Sequence, residues 1–168
     1  MPEAVKTYVR VVETVNRGVG RFAMYILYVM MAILAWSTIS KITPWPSIWT
    51  LEMAQFAMVA YFMLGGPYSL QLDSNVRMDL LYHRWSPRTR AWVDAFSIFA
   101  LLFYLGVLLY GAVESTVYSI EYAERSPTAW RPYLWPIKVI MCVAVLLMLL
   151  QAIAFFFRDL AKIRGEEI

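Results

Sequence analysis

The sequence predicts an all-α integral membrane protein with four transmembrane helices plus short amphipathic interfacial helices, and three observations carry that expectation. Of its 168 residues, 61% are hydrophobic and only 16% are charged, with mean hydropathy +0.55. That leaves too little polar surface to clothe a globule of this size. Four apolar runs, 22–40, 49–72, 96–113 and 139–157, are each about 18–24 residues long, enough at roughly 1.5 Å per residue to cross a hydrocarbon core of about 30 Å. The basic residues divide unevenly across such a four-span path. Lys6, Arg10, Arg17, Arg21, Arg77, Arg84, Arg88, Arg90, Arg158, Lys162 and Arg164 fall on one side, and only Lys41, Arg125, Arg131 and Lys138 on the other. Lysine and arginine in short flanks stay cytoplasmic, so the eleven-to-four split predicts both termini in the cytoplasm. Residues 1–168 read as a single membrane domain.

Residues 3–19 set Val5, Tyr8, Val9, Val12, Val15 and Val19 against Lys6, Arg10, Glu13 and Arg17, which predicts an amphipathic helix lying at the cytoplasmic surface. The charged stretch is too long for a signal peptide and no small-x-small cleavage site follows the first span, 22–40. Pro44-Trp45-Pro46 predicts a short rigid turn and Ser47 an N-cap, making the second span, 49–72, an antiparallel neighbour of the first. Residues 76–85 interleave Val76, Met78, Leu80, Leu81 and Trp85 with Arg77, Asp79 and Arg84, an interfacial segment. Ser86-Pro87 opens a helix with no strong breaker before Ser126-Pro127. A long helix over 87–125, containing the third span, follows. The fourth span and its basic tail occupy 136–158, with Trp130, Tyr133 and Trp135 as an aromatic belt.

In the second span Glu52, Gln55, Val59, Gly66, Ser69 and Asp73 fall near one face at helical spacing. Such a stripe is expected to face protein rather than lipid. Glu52 admits three readings: a structural or subunit contact, an acid held by the positive end of the helix dipole, and an ion-coupling group. Gln151 is placed to hydrogen-bond another helix, and Arg77 with Asp79 to anchor the interfacial segment to lipid phosphate or a partner. The single Cys142 excludes disulfide and CxxC chemistry, and the single His83 excludes bis-histidine haem ligation. No phosphate loop, zinc-protease motif or nucleophile elbow occurs, so the sequence predicts no catalytic residue, metal site or cofactor. Basic residues confined to membrane flanks argue against nucleic-acid binding.

The acid after Trp49, the Leu64-Gly65-Gly66-Pro67-Tyr68 passage, the Asn75-Val76-Arg77-Met78-Asp79 turn and the Trp135-Pro136-Ile137-Lys138 and Leu149-Leu150-Gln151 stretches resemble the small, Q-type membrane subunit of tripartite ATP-independent periplasmic (TRAP) transporters. Such sequences commonly carry a histidine before the Val–Arg pair, where this chain has Asn75. The resemblance implies a bacterial inner-membrane protein that scaffolds a large multi-span subunit during ion-coupled uptake of an organic acid delivered by a periplasmic binding protein. Its partners would be those two proteins and membrane lipids, and Glu52, Gln55, Gly66, Arg77, Asp79 and Gln151 its structural or assembly contacts. The absence of broken helices and inverted repeats agrees with a static role. A membrane anchor of a redox enzyme and a stand-alone small exporter are the rival readings.

Overall fold

The computed structural model describes residues 3–72 and 87–163, with side chains described for 3–72 and 96–158. The expected interfacial segment 76–85, with Arg77 and Asp79, lies outside the described residues. Among the described residues four helices follow one another: α1 Glu3–Ser40, α2 Thr50–Gln71, α3 Pro87–Glu121 and α4 Trp135–Ile163.

The two segments expected over 3–19 and 22–40 are one helix, α1. No proline interrupts it, and in an apolar setting a helix through Gly18 and Gly20 satisfies backbone groups that a break would leave bare. The amphipathic face of residues 3–19 is also not free. Val9 and Val12 are buried with Ala154 of α4, flanked by Tyr8, Leu150 and Phe157. The Tyr8 hydroxyl donates to the Leu150 carbonyl at 3.1 Å, while Asn16, eight residues on, meets Gln151. With Tyr8 against Phe157, Val9 and Val12 against Ala154, and Asn16 against Gln151, the amino-terminal arm docks antiparallel on the carboxyl-terminal part of α4.

α2 lies antiparallel to α1: Thr50 reaches Ser37 at one end, and Tyr68 packs on Gly20 at the other. A Cβ on Gly20 would stand under 3.0 Å from three Tyr68 atoms, including its Cβ, so the glycine sets how closely the two backbones approach. Pro67 sits inside α2, buried. α4 packs against each of the other three helices.

Helix α3 stops at Glu121, short of the expected 125. Ala123 adopts φ 47°, with its N–H bonded to the Ile120 carbonyl and the Glu124 N–H to the Ser119 carbonyl. That pair of bonds closes a helix end through a left-handed residue, a position usually held by glycine. With alanine there, nothing in the sequence signalled the stop. A tight hairpin follows, in which Ser126 N–H bonds Pro132 O and Leu134 N–H bonds Glu124 O.

Among the described residues three helices are long and apolar enough to cross a membrane: α1, Phe96–Glu121 of α3 and Trp135–Arg158 of α4. The second expected span, 49–72, forms α2 but falls short of that apolarity, because Glu52, Gln55, Gly65-Gly66-Pro67 and Ser69 dilute its Leu, Met and Phe. In the most apolar stretch of α3 only 6% of residues are buried within the chain, against 28% for α4. α4 is therefore the central helix, and α3 stands at the edge.

Candidate functional site

Polar side chains inside an apolar bundle are the groups most in need of a reason, because an unpaired one is costly there. Among the described residues they gather in three places: where α1 meets α2, where α1 meets α4, and where α3 turns into α4. Where α1 meets α2, Thr50 Oγ1 donates to Ser37 Oγ at 3.2 Å, Ser40 and Ser47 hydroxyls lie 2.7 Å apart, and Ser47 and Thr50 hydroxyls 3.2 Å apart. Ser40 also donates to the Ser37 carbonyl at 3.0 Å. Ser47 therefore ties the loop to α1 instead of capping α2. The residue at the N-cap is Trp49, which makes no side-chain capping bond.

Glu52 lies in the first turn of α2, buried, with Oε2 making no hydrogen bond among the described residues. The helix's free N-terminal amides supply a positive end that favours an acid at this position. Gln55, one turn on, is exposed. The two do not form a sheltered pair. Gln55 belongs instead to an outward stripe with Leu51, Met58 and Phe62, which are exposed by 62%, 50% and 62%. Gly66 turns inward, where a Cβ would meet only the Met148 Cε at 2.9 Å.

At the other end of the bundle, where α1 meets α4, Asn16 Nδ2 donates to Gln151 Oε1 at 2.6 Å. Both residues are 0% exposed, and Asn16 Oδ1 and Gln151 Nε2 find no partner among the described residues. Beside them Arg158 pairs with Glu13 at 3.3 Å and stacks over the Phe155 ring. Sequence reasoning singled out Gln151 but missed Asn16 and Gly20. The signal was present, since Val9, Val12, Asn16, Gly20 and Ala23 share one helical face, and an asparagine on an apolar stripe asks for an amide partner.

Lys138 at the start of α4 donates to Glu124 Oε2 at 2.7 Å and to the Ser115 carbonyl at 3.5 Å, rather than extending into solvent. Ser119 Oγ donates to the same Glu124 oxygen, and Arg125 bonds and stacks on Tyr133. The Lys138 hydrogen bond, then that from Ser119, holds the Glu124 carboxyl below its ordinary 4.5. A depressed carboxyl contributes stability fully above pH 4.5 and loses it as pH falls through the lowered value. Carbon NMR of labelled chain in micelles should show Glu124 titrating below 4.5 and moving back toward it in Lys138→Met. An unmoved titration would mean the ion pair does not hold the hairpin.

On the face of α3, Tyr110 donates to Glu114 at 2.6 Å, and both are exposed within the apolar stretch. The chain thus presents Gln55 and the Tyr110–Glu114 pair outward, while Glu52, Asn16 and Gln151 each keep one inward atom without a partner among the described residues. Among the described residues no three His, Cys, Asp or Glu side chains converge as metal ligands.

A family model described as "Tripartite ATP-independent periplasmic transporters, DctQ component" matches residues 30–162. No curated protein and no solved structure matches the chain.

Proposed function

The chain belongs to the DctQ component family of the TRAP transporters, the match spanning residues 30–162, and on that premise we propose that it is the small membrane subunit that braces a large transport subunit during binding-protein-dependent, ion-coupled uptake of an organic acid. The observation that carries the bracing role is the outward placement of Gln55 in the Leu51, Met58 and Phe62 stripe, together with the exposed Tyr110–Glu114 pair. Polar groups facing hydrocarbon are costly, and another protein's helices relieve that cost. In this reading α2 is the fourth span, since it accompanies α1 from Ser37 to Gly20. Glu52 acts as a dipole-stabilised structural acid, Gly66 and Gln151 pack the bundle internally, and Gln55 is the assembly contact. Both termini are cytoplasmic and the hairpin around Ser126 is periplasmic, as the charge split requires.

Co-expression with the large subunit and mild-detergent purification should give a one-to-one complex. Proteoliposomes should import substrate only with both membrane subunits and the binding protein, and a membrane-impermeant thiol reagent should reach Ser126→Cys from the periplasm. Uptake by this chain alone, or undiminished uptake by the large subunit without it, would end the proposal.

A further inference from the structure

The arm of α1 carries three faces about 120° apart at roughly 100° per residue. One, Val9, Val12 and Asn16, is buried against α4. The second, Val11, Val15 and Phe22, is exposed and apolar, Phe22 by 62%. The third is a row of four exposed cations, Lys6, Arg10, Arg17 and Arg21, within about 60° of the helix circumference. Glu13, the acid inside this stretch, is engaged by Arg158, and Glu3 lies beyond the row's amino-terminal end. No ion pair is made by the four cations among the described residues.

We infer that this row is a binding surface for the headgroups of net-negative phospholipids, with the apolar face beside it set into their acyl region. Glu13, in the middle of the row, pairs with Arg158 at the basic end of α4, which sets the row at the level where that helix leaves the apolar layer. Lys6 with Arg10 and Arg17 with Arg21 are each four residues apart, the spacing that puts two side chains side by side, about 5–6 Å between Cβ atoms. Each pair brackets one phosphodiester. Two cations around one phosphate disfavour a headgroup carrying its own ammonium, which selects phosphatidylglycerol-type over phosphatidylcholine-type lipid. The contacts with α4 fix the helix that carries the row, so lipid binding has only side chains and no backbone to order. The inference depends on the membrane placement of the chain and not on its part in transport.

The test uses the full chain reconstituted in nanodiscs of equal phosphatidylglycerol and phosphatidylcholine, released into mild detergent, with retained lipid counted by native mass spectrometry. Retained phosphatidylglycerol should exceed phosphatidylcholine by roughly fivefold or more, and the excess should fall steeply with added salt. K6Q/R10Q/R17Q/R21Q should bring the ratio near one, whereas K6R/R10K/R17K/R21K should keep it. The salt series needs no variant, so a neutralised chain that fails to fold still leaves a deciding measurement. A ratio near one in the unaltered chain, as expected if an acidic protein surface is the true occupant, overturns the inference. So does an excess that salt leaves unchanged, or one that survives neutralisation of the row in a folded chain.

Discussion

Gly20→Ala is expected to lower the thermal midpoint of the purified chain by several degrees, while Gly66→Ala leaves it nearly unchanged. Alanine is the better helix former by up to about 1 kcal/mol, so propensity alone would predict a gain at both positions. Space decides the sign. At residue 20 the new methyl meets Tyr68 at its Cβ, Cγ and Cδ1 under 3.0 Å. The root of a ring cannot swing aside without moving its helix, and overpacking of that kind costs about 1–3 kcal/mol. At residue 66 the methyl meets the Met148 Cε at 2.9 Å, the free end of a flexible chain that turns away. At roughly 2–4 °C per kcal/mol for a chain of this size, the contrast is readable by differential scanning fluorimetry on the native tryptophans. Equal midpoints for the two variants would show that α1 and α2 do not meet at this crossing. Gly20→Leu should abolish recovery of folded chain.

The second expectation concerns the buried amides. Asn16→Leu or Gln151→Leu alone should each cost about 1–3 kcal/mol, because each leaves the surviving amide with no partner in a site closed to water. The double variant should cost little more than either single one, since it removes both halves of a pair whose bond, inside a membrane, contributes only about 0.6–2 kcal/mol. Equilibrium unfolding of the four members of the cycle in mild detergent gives the coupling directly. Costs that add to within about 0.3–0.5 kcal/mol would mean that the two side chains act independently.

The order of the four apolar helices was legible because apolar runs of membrane length leave little choice of conformation, and Pro44, Pro46, Pro87 and Pro127 mark where the chain must turn, but the fusion of 3–19 with the first of them was not. Boundaries set by hydrogen bonds were not. Ala123 ends α3 in a left-handed turn that glycine would have announced, and Ser47 satisfies a neighbouring helix instead of capping its own. The polar stripe of α2 was visible in its spacing, but periodicity does not tell which side of a helix finds a neighbour. The structure turns Glu52 and Gly66 inward and leaves Gln55 outside. Gln151 was recognised as a residue seeking a bond across helices. Its partner was not, because Asn16 was hidden in a stretch whose apolar face was expected to meet lipid rather than α4.

The docking of the α1 arm on α4 also sets an order of events during synthesis. Asn16 and Gln151 are separated by 135 residues, so the surface that receives the first helix is built almost last. At roughly 5–20 residues per second, the arm waits on the order of ten seconds after its own emergence with an amide and two valines uncovered. The α1–α2 hairpin, whose hydroxyl contacts span at most 13 residues, closes long before that. The chain therefore matures in two stages, a local hairpin first and a long-range closure that only a finished carboxyl-terminal helix permits. A nascent chain stalled before residue 151 would leave its first helix undocked at the membrane, where quality-control proteases can distinguish it from the completed protein.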